Sequence, residues 1–242
     1  LDVLNLSKST TASSSNTKLI VGIYDSGDAA DAYSGQIGVE DLFEGTMEDL
    51  TVEQRFNKYA LWISNGTIVV LGQDTDSAYA GITTLKRIFE QLKGKEIRNL
   101  ALKDYAEIEF RGFIEGYYGN PWSHEDRMDL MKFGGEIKMN QYVFAPKDDP
   151  YHAERGRELY PDEVGDKNTL NHVSKCFYVY ALHPFKSSRP LKEATYDEDL
   201  RQLKAKFKQV IDAGVRQIAI LEDDASANGW TTETLIRLLN DV

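Results

Sequence analysis

Residues 218–226, Ile218-Ala219-Ile220-Leu221-Glu222-Asp223-Asp224-Ala225-Ser226, form an apolar, β-rich run that ends in three consecutive carboxylates. Like charges side by side are unfavourable, and close carboxylates settle into different protonation states. A proton-bearing acid beside an ionised one is what general acid–base chemistry requires. The plainer alternative is a solvated acidic loop, because a charge run is usually surface. Two other stretches carry residues suited to chemistry. In Gly112-Phe113-Ile114-Glu115-Gly116-Tyr117-Tyr118-Gly119-Asn120-Pro121-Trp122, glycines 116 and 119 permit a sharp turn or close approach to a ligand. Tyr117, Tyr118 and Trp122 can offer flat faces to a sugar ring, or equally plug the end of the fold. In Tyr142-Val143-Phe144-Ala145-Pro146-Lys147-Asp148-Asp149-Pro150-Tyr151-His152, Pro146 fixes the exit of a strand and leaves Lys147 at its lip. There a lysine donates to hydroxyls or neutralises the acids around it.

The elements that must position these residues follow a repeated grammar from residue 107 onward. Strands are predicted over 108–115, 142–145, 177–182 and 215–221, each followed by a loop and then a helix. Ser123 caps the first helix with Asp126 as its reciprocal acid, and the helix ends near Gly134-Gly135. A less regular helix is expected over 161–174. Residues 197–213 carry Leu200, Leu203, Phe207, Val210 and Ile211 at helical spacing, with Gly214 just beyond. A fourth helix runs from Thr231. Repeated βα units imply parallel strands joined by right-handed crossovers. The chemical residues all follow strand ends, as on the active face of a (β/α)₈ barrel; a doubly wound sheet obeys the same rule and is the alternative.

Residues 1–106 read as a separate small α/β domain. Residues 1–17, rich in Ser, Thr and Asn, predict a mobile arm or an irregular first segment. A short strand over 19–23 and a helix near 29–33 follow. Asn65-Gly66 between two apolar runs marks a hairpin. Asp76 or Ser77 is expected to cap a helix carrying Ala78, Ile82, Leu85, Ile88, Phe89 and Leu92. The fold class is therefore α/β, a small N-terminal domain (1–106) followed by the first four βα units (107–242) of a TIM barrel. Four units are half of eight, so a second chain or further sequence is expected to complete the barrel.

Composition narrows the function. The chain has 242 residues and a net charge of −11, which argues against nucleic acid or an anionic membrane as partner. No apolar run reaches membrane-spanning length. Cys176 is the only cysteine, read as a small core residue, and the four histidines lack ligand spacing, so no metal and no cofactor are expected. The chain opens at Leu1 without a secretory leader, and so reads as processed or trimmed.

The motifs Gly112–Trp122, Ala145–His152 and Ile220–Ser226, in that order, resemble glycoside hydrolase family 84. These are bacterial hyaluronidase or β-N-acetylglucosaminidase enzymes related to the O-GlcNAcases. The resemblance extends to the N-terminal region through Asp74-Thr75-Asp76-Ser77-Ala78. It implies retaining cleavage of β-linked N-acetylglucosamine in which the sugar's own 2-acetamido oxygen attacks the anomeric carbon. Substrate-assisted families are an exception to the two-carboxylate scheme. By family position Asp223 polarises the acetamide and Asp224 is the general acid/base. Gly116, through its backbone, and Lys147 hold sugar hydroxyls. Glu222 is assigned a structural role. The resemblance further implies a secreted or extracellular enzyme acting on an N-acetylglucosamine-containing glycan or glycoprotein. The competing expectation is a carbohydrate-binding or structural fragment without turnover.

Overall fold

The computed structural model describes residues 18–44, 56–92, 96–152, 154–161, 172–173, 175–184, 192–222 and 231–242. Contacts divide the chain into two compact units, residues 1–109 and 110–242.

The first unit contains β1 (Lys18–Ile23), α1 (Ala29–Gln36), α2 (Val39–Glu44), β2 (Phe56–Ser64), β3 (Thr67–Gly72), α3 (Thr75–Gln91) and β4 (Leu100–Ala106). The strands lie in the order β1-β3-β2-β4, with β1 parallel to β3 and the other pairs antiparallel. Alternation along β2 and β3 splits the core. Leu61, Ile63, Ile68 and Val70 pack with Leu85 of α3, while Ala60, Val69 and Leu71 pack with Val39 and Phe43 of α2. Asn65 and Gly66, both at positive φ, make the hairpin turn between β2 and β3. The cap of α3 is neither Asp76 nor Ser77. Asp74 is extended, and its carboxylate accepts from the Ser77 amide and hydroxyl at 2.8 and 2.7 Å.

The second unit runs β5 (Gly112–Glu115), α4 (His124–Glu136), β6 (Gln141–Phe144), β7 (His172–Val173), β8 (Cys176–Leu182), α5 (Tyr196–Asp212), β9 (Gln217–Ile220) and α6 (Thr232–Asp241). Strands β5, β6, β8 and β9 are parallel and adjacent in chain order. The architecture is the one expected: a small α/β unit, then four parallel strands in chain order, with α4, α5 and α6 following the first, third and fourth. Ser123 caps α4 reciprocally with Asp126, also as expected.

Two further local expectations change. The first strand begins at Gly112 rather than at 108; Ile108 and Phe110 are 66% and 56% exposed. Their alternation imitates a strand, but the β6 register begins only at Gly112. Gly112 is needed there, because a Cβ would fall 1.8 Å from the Gln141 carbonyl oxygen. Of the helix expected over 161–174, residues 162–171 and 174 lie outside the described residues. His172–Val173 pairs instead antiparallel with the start of β8.

Finally, the register assigns faces. Phe113–Tyr142–Tyr178 and Glu115–Phe144–Tyr180–Ile218 lie in rows on the side covered by helices, where Met131, Leu203, Phe207 and Leu238 complete the core. The opposite, inner face carries Ile114–Val143–Val179–Gln217. Ile220 pairs with Leu182 and packs on the helix side.

Candidate active site

Because β5, β6, β8 and β9 are parallel, their C-terminal ends share one rim. The β5 ladder continues past its last residue: the Ala145 amide donates to the Glu115 carbonyl at 3.2 Å, and the Lys147 amide to the Tyr117 carbonyl at 3.4 Å. The Leu221 amide likewise donates to the Leu182 carbonyl at 2.8 Å, extending β9 along β8. These bonds bring the first and second loops together beside the end of the fourth strand. Between them lies a cleft of about 340 Å³ lined by Ile114, Gly116, Tyr117, Ala145, Lys147 and Leu221. Small-molecule sites commonly span about 300–1,000 Å³. Gly116 and Lys147, singled out in the sequence, therefore face one cavity. Asp223 and Asp224 lie outside the described residues; the segment described before them reaches this rim at Leu221 and an exposed Glu222.

Each loop is held from below. The Gly119 amide, at a φ of 116°, donates to the Asp148 carboxylate, which joins the tips of the first two loops. Tyr117 and Trp122 stack at a tilt of 52° with ring centroids 5.3 Å apart, and Tyr117 forms part of the cleft wall. Tyr118 points to solvent at 71% exposure. The three aromatics thus divide: Tyr117 lines the cleft, Trp122 backs it, and Tyr118 does neither.

Glu115 is fully buried at the end of β5. Arg127 of α4 donates to it through Nε and Nη2 at 2.8 and 2.9 Å, the Tyr142 hydroxyl also donates to it, and the Trp122 amide donates at 3.1 Å. Burial disfavours the charged forms of both partners. For Arg127 the bonds and charge of Glu115 outweigh burial and raise its pKa above the ordinary value. For Tyr142 burial and the Glu115 carboxylate act together, and the hydroxyl stays protonated. Sequence reasoning gives Glu115 no role. Its parity with Phe113 along a two-residue period was the signal that it faces the helices rather than the cleft.

The second loop is tied to β8 and α5. His152, fully buried, donates from Nδ1 to the Ala181 carbonyl at 2.9 Å, and its own carbonyl accepts from the His183 amide at 3.2 Å. Burial lowers its pKa despite the Ala181 bond and Asp149. Asp149 accepts from the Tyr151 amide and the Tyr160 hydroxyl at 2.8 and 3.0 Å. Tyr160 exchanges two bonds with the Gln209 side chain, both 2.8 Å, and Lys206 donates to the Glu158 carbonyl at 2.6 Å. Arg157 pairs with Asp199 at 3.3 Å. Thus α5 presents Asp199, Lys206 and Gln209 to the loop that carries Lys147. Among the described residues, no three His, Cys, Asp or Glu side chains gather as a metal site would.

A rim cleft with a backbone glycine, a lysine and an aromatic wall suits a small polyhydroxylated ligand. The family model described as beta-N-acetylglucosaminidase matches residues 111–239, and that described as glycosyl hydrolase family 20, domain 2, matches residues 12–105. Protein O-GlcNAcase of Rattus norvegicus and that of Mus musculus are each 34% identical over 124 residues, 48% of this chain. The chain spans 13% of the length of these relatives. The solved structure titled CpGH84D superposes with a TM-score of 0.81 at 38% identity, covering 96% of this chain and 38% of that one. CpGH84B superposes at 0.64 with 32% identity, covering 76% and 32%.

Proposed function

This chain belongs to the β-N-acetylglucosaminidase family, glycoside hydrolase family 84, and on that premise we propose that it carries the first part of a retaining glycosidase site that uses substrate assistance. In this proposal the 2-acetamido oxygen of N-acetylglucosamine attacks the anomeric carbon and displaces the aglycone. Asp223, ionised, holds the acetamide N–H as positive charge develops there. Asp224 gives its proton to the departing oxygen and then takes one from the water that opens the intermediate. The Gly116 peptide and the Lys147 ammonium hold hydroxyls of the same ring. The substrate is an N-acetylglucosamine-containing glycan or glycoprotein, and an extracellular location is part of the proposal.

The observation that carries it is the cleft itself. Gly116, Lys147 and Leu221 line one cavity, and Leu221 is two residues before Asp223. Leaving-group dependence in the full-length protein tests it. Asp224→Ala is expected to slow substrates with poor leaving groups by about 10²–10⁴ and to spare activated aryl glycosides, which need no proton donor. Asp223→Ala slows both, because it weakens the attack itself. Equal losses on both substrate types for Asp224→Ala would remove the acid assignment.

One observation favours a second reading for residues 1–242 by themselves. Ile114, on the cleft wall, is 59% exposed, so the cavity is open to solvent there. A chain with this open cleft binds sugar without turning it over. Ligand binding without hydrolysis by residues 1–242 would support it; hydrolysis by those residues alone would refute it.

A further inference from the structure

Resting on the assignment of the Gly116 backbone to a sugar hydroxyl, we propose that Glu115 is a positioning residue: its buried carboxylate closes the 115–122 loop on itself and so fixes the Gly116 peptide in the cleft. The carboxylate never meets the cleft. It is fully buried on the helix side, held by Nε and Nη2 of Arg127 and by the Tyr142 hydroxyl. Those partners belong to α4 and β6, so the carboxylate is anchored to two regular elements. One contact goes elsewhere. The Trp122 amide, at the far end of the loop, donates to Oε1 at 3.1 Å. The Glu115 carbonyl accepts from the Ala145 amide at 3.2 Å. Glu115 is thereby held through main chain and side chain, and Gly116 is the next residue.

Gly116 has little of its own to set its conformation. Its φ is not positive, and a Cβ there would meet only the Ile114 side chain, at 3.4 and 3.6 Å. A glycine without steric constraint takes the orientation its neighbours impose. Ring closure through Trp122 supplies that constraint and also sets the indole against Tyr117 on the cleft wall. A group that acts on a bound sugar through a peptide one residue away should alter binding more than the rate of the bound complex.

The test compares Glu115→Gln with Tyr142→Phe in the full-length protein. Glu115→Gln replaces one acceptor oxygen by a donor facing donors. Tyr142→Phe removes a partner of the same carboxylate but leaves the Trp122 bond. Measured are the thermal midpoint, amide exchange from Gly116 to Trp122, and KM and kcat on an aryl N-acetyl-β-glucosaminide. Both variants should lower the midpoint. Only Glu115→Gln should speed exchange at Gly116 and Trp122 and raise KM about tenfold, with kcat within about threefold of wild type. KM and loop exchange no different from Tyr142→Phe would leave Glu115 a structural ion pair and overturn the proposal. If Glu115→Gln does not fold, Glu115→Asp carries the same comparison, since it keeps the charge opposite Arg127 but draws the oxygens back from Trp122. Absence of hydrolysis in the wild type would sink the hydrolase reading alone, and the exchange comparison would still decide Glu115.

Discussion

Lys206 sits where a charged side chain is costly. It is fully buried on α5, with its ammonium 3.5 Å from the Tyr160 ring centroid and 4.9 Å from that of Tyr151. Burial pulls its pKa down to about 7, against the opposing pull of Asp149 and Glu158. The sign of the consequence follows from linkage. The unfolded chain holds the proton up to the ordinary lysine value of 10.5, whereas the folded chain releases it near 7. The stability contributed by this group is therefore complete above 10.5 and is lost as pH falls through about 7. Lys206→Met removes the titration. Denaturant midpoints of the two proteins should diverge toward pH 6, to the detriment of wild type, and their difference should flatten above 10.5. A difference independent of pH would mean that the ring faces and the Glu158 carbonyl keep Lys206 charged throughout. Lys206 reaches the loop of Lys147 through Glu158 and Tyr160, so the same titration should loosen that loop first.

At the scale of elements, the capping residue of α3 gives a sharp contrast. Asp74→Ala should cost about 1 kcal/mol, because it removes the acceptor for the Ser77 amide at the helix start. Asp76→Ala, within the first turn, should change stability by less than about 0.5 kcal/mol. Urea midpoints of the two variants decide between them. Sequence could not make this choice, since Asp74, Asp76 and Ser77 are all competent caps and only the backbone angles select one. The βα repeats were legible because their signals are local: aromatic and β-branched runs for β6 and β8, helical spacing for α5, and a reciprocal cap for α4. The short α2 was missed, as six residues give too little periodicity. The Glu115–Arg127–Tyr142 cluster was missed for another reason. Its members are 12 and 27 residues from Glu115, and only strand parity and a helix docked above it bring them together. Gly116 and Lys147 were legible as strand-end residues, but their common cleft depends on the register of β5 against β6.

At the scale of the molecule, the second unit is unevenly covered. Its helix side is packed, whereas the inner face carries Ile114 at 59% exposure beside half-buried Val143. On the outside, Ile236 and Leu239 of α6 are 54% and 64% exposed. At about 25 cal/mol per Å², a few hundred exposed Å² of such surface costs several kcal/mol, comparable to the net stability of a domain, roughly 5–15 kcal/mol. Residues 1–242 expressed alone should therefore associate, with a sedimentation mass that rises with concentration. A constant mass equal to one chain over a hundredfold dilution series would show that this surface is tolerated in water.

Cys176 opens β8, fully buried at the foot of the sheet, where a Cβ added to Gly134 of α4 would lie 3.6 Å from its sulfur. Burial pushes the thiol up to about 11, so the closed state presents neither access nor a thiolate to an electrophile. It is also the only sulfhydryl in the chain. The protein thus contains its own clock for the parting of α4 from the sheet. Alkylation marks opening at a known place, and when closing outruns alkylation the rate gives the population of the open form directly.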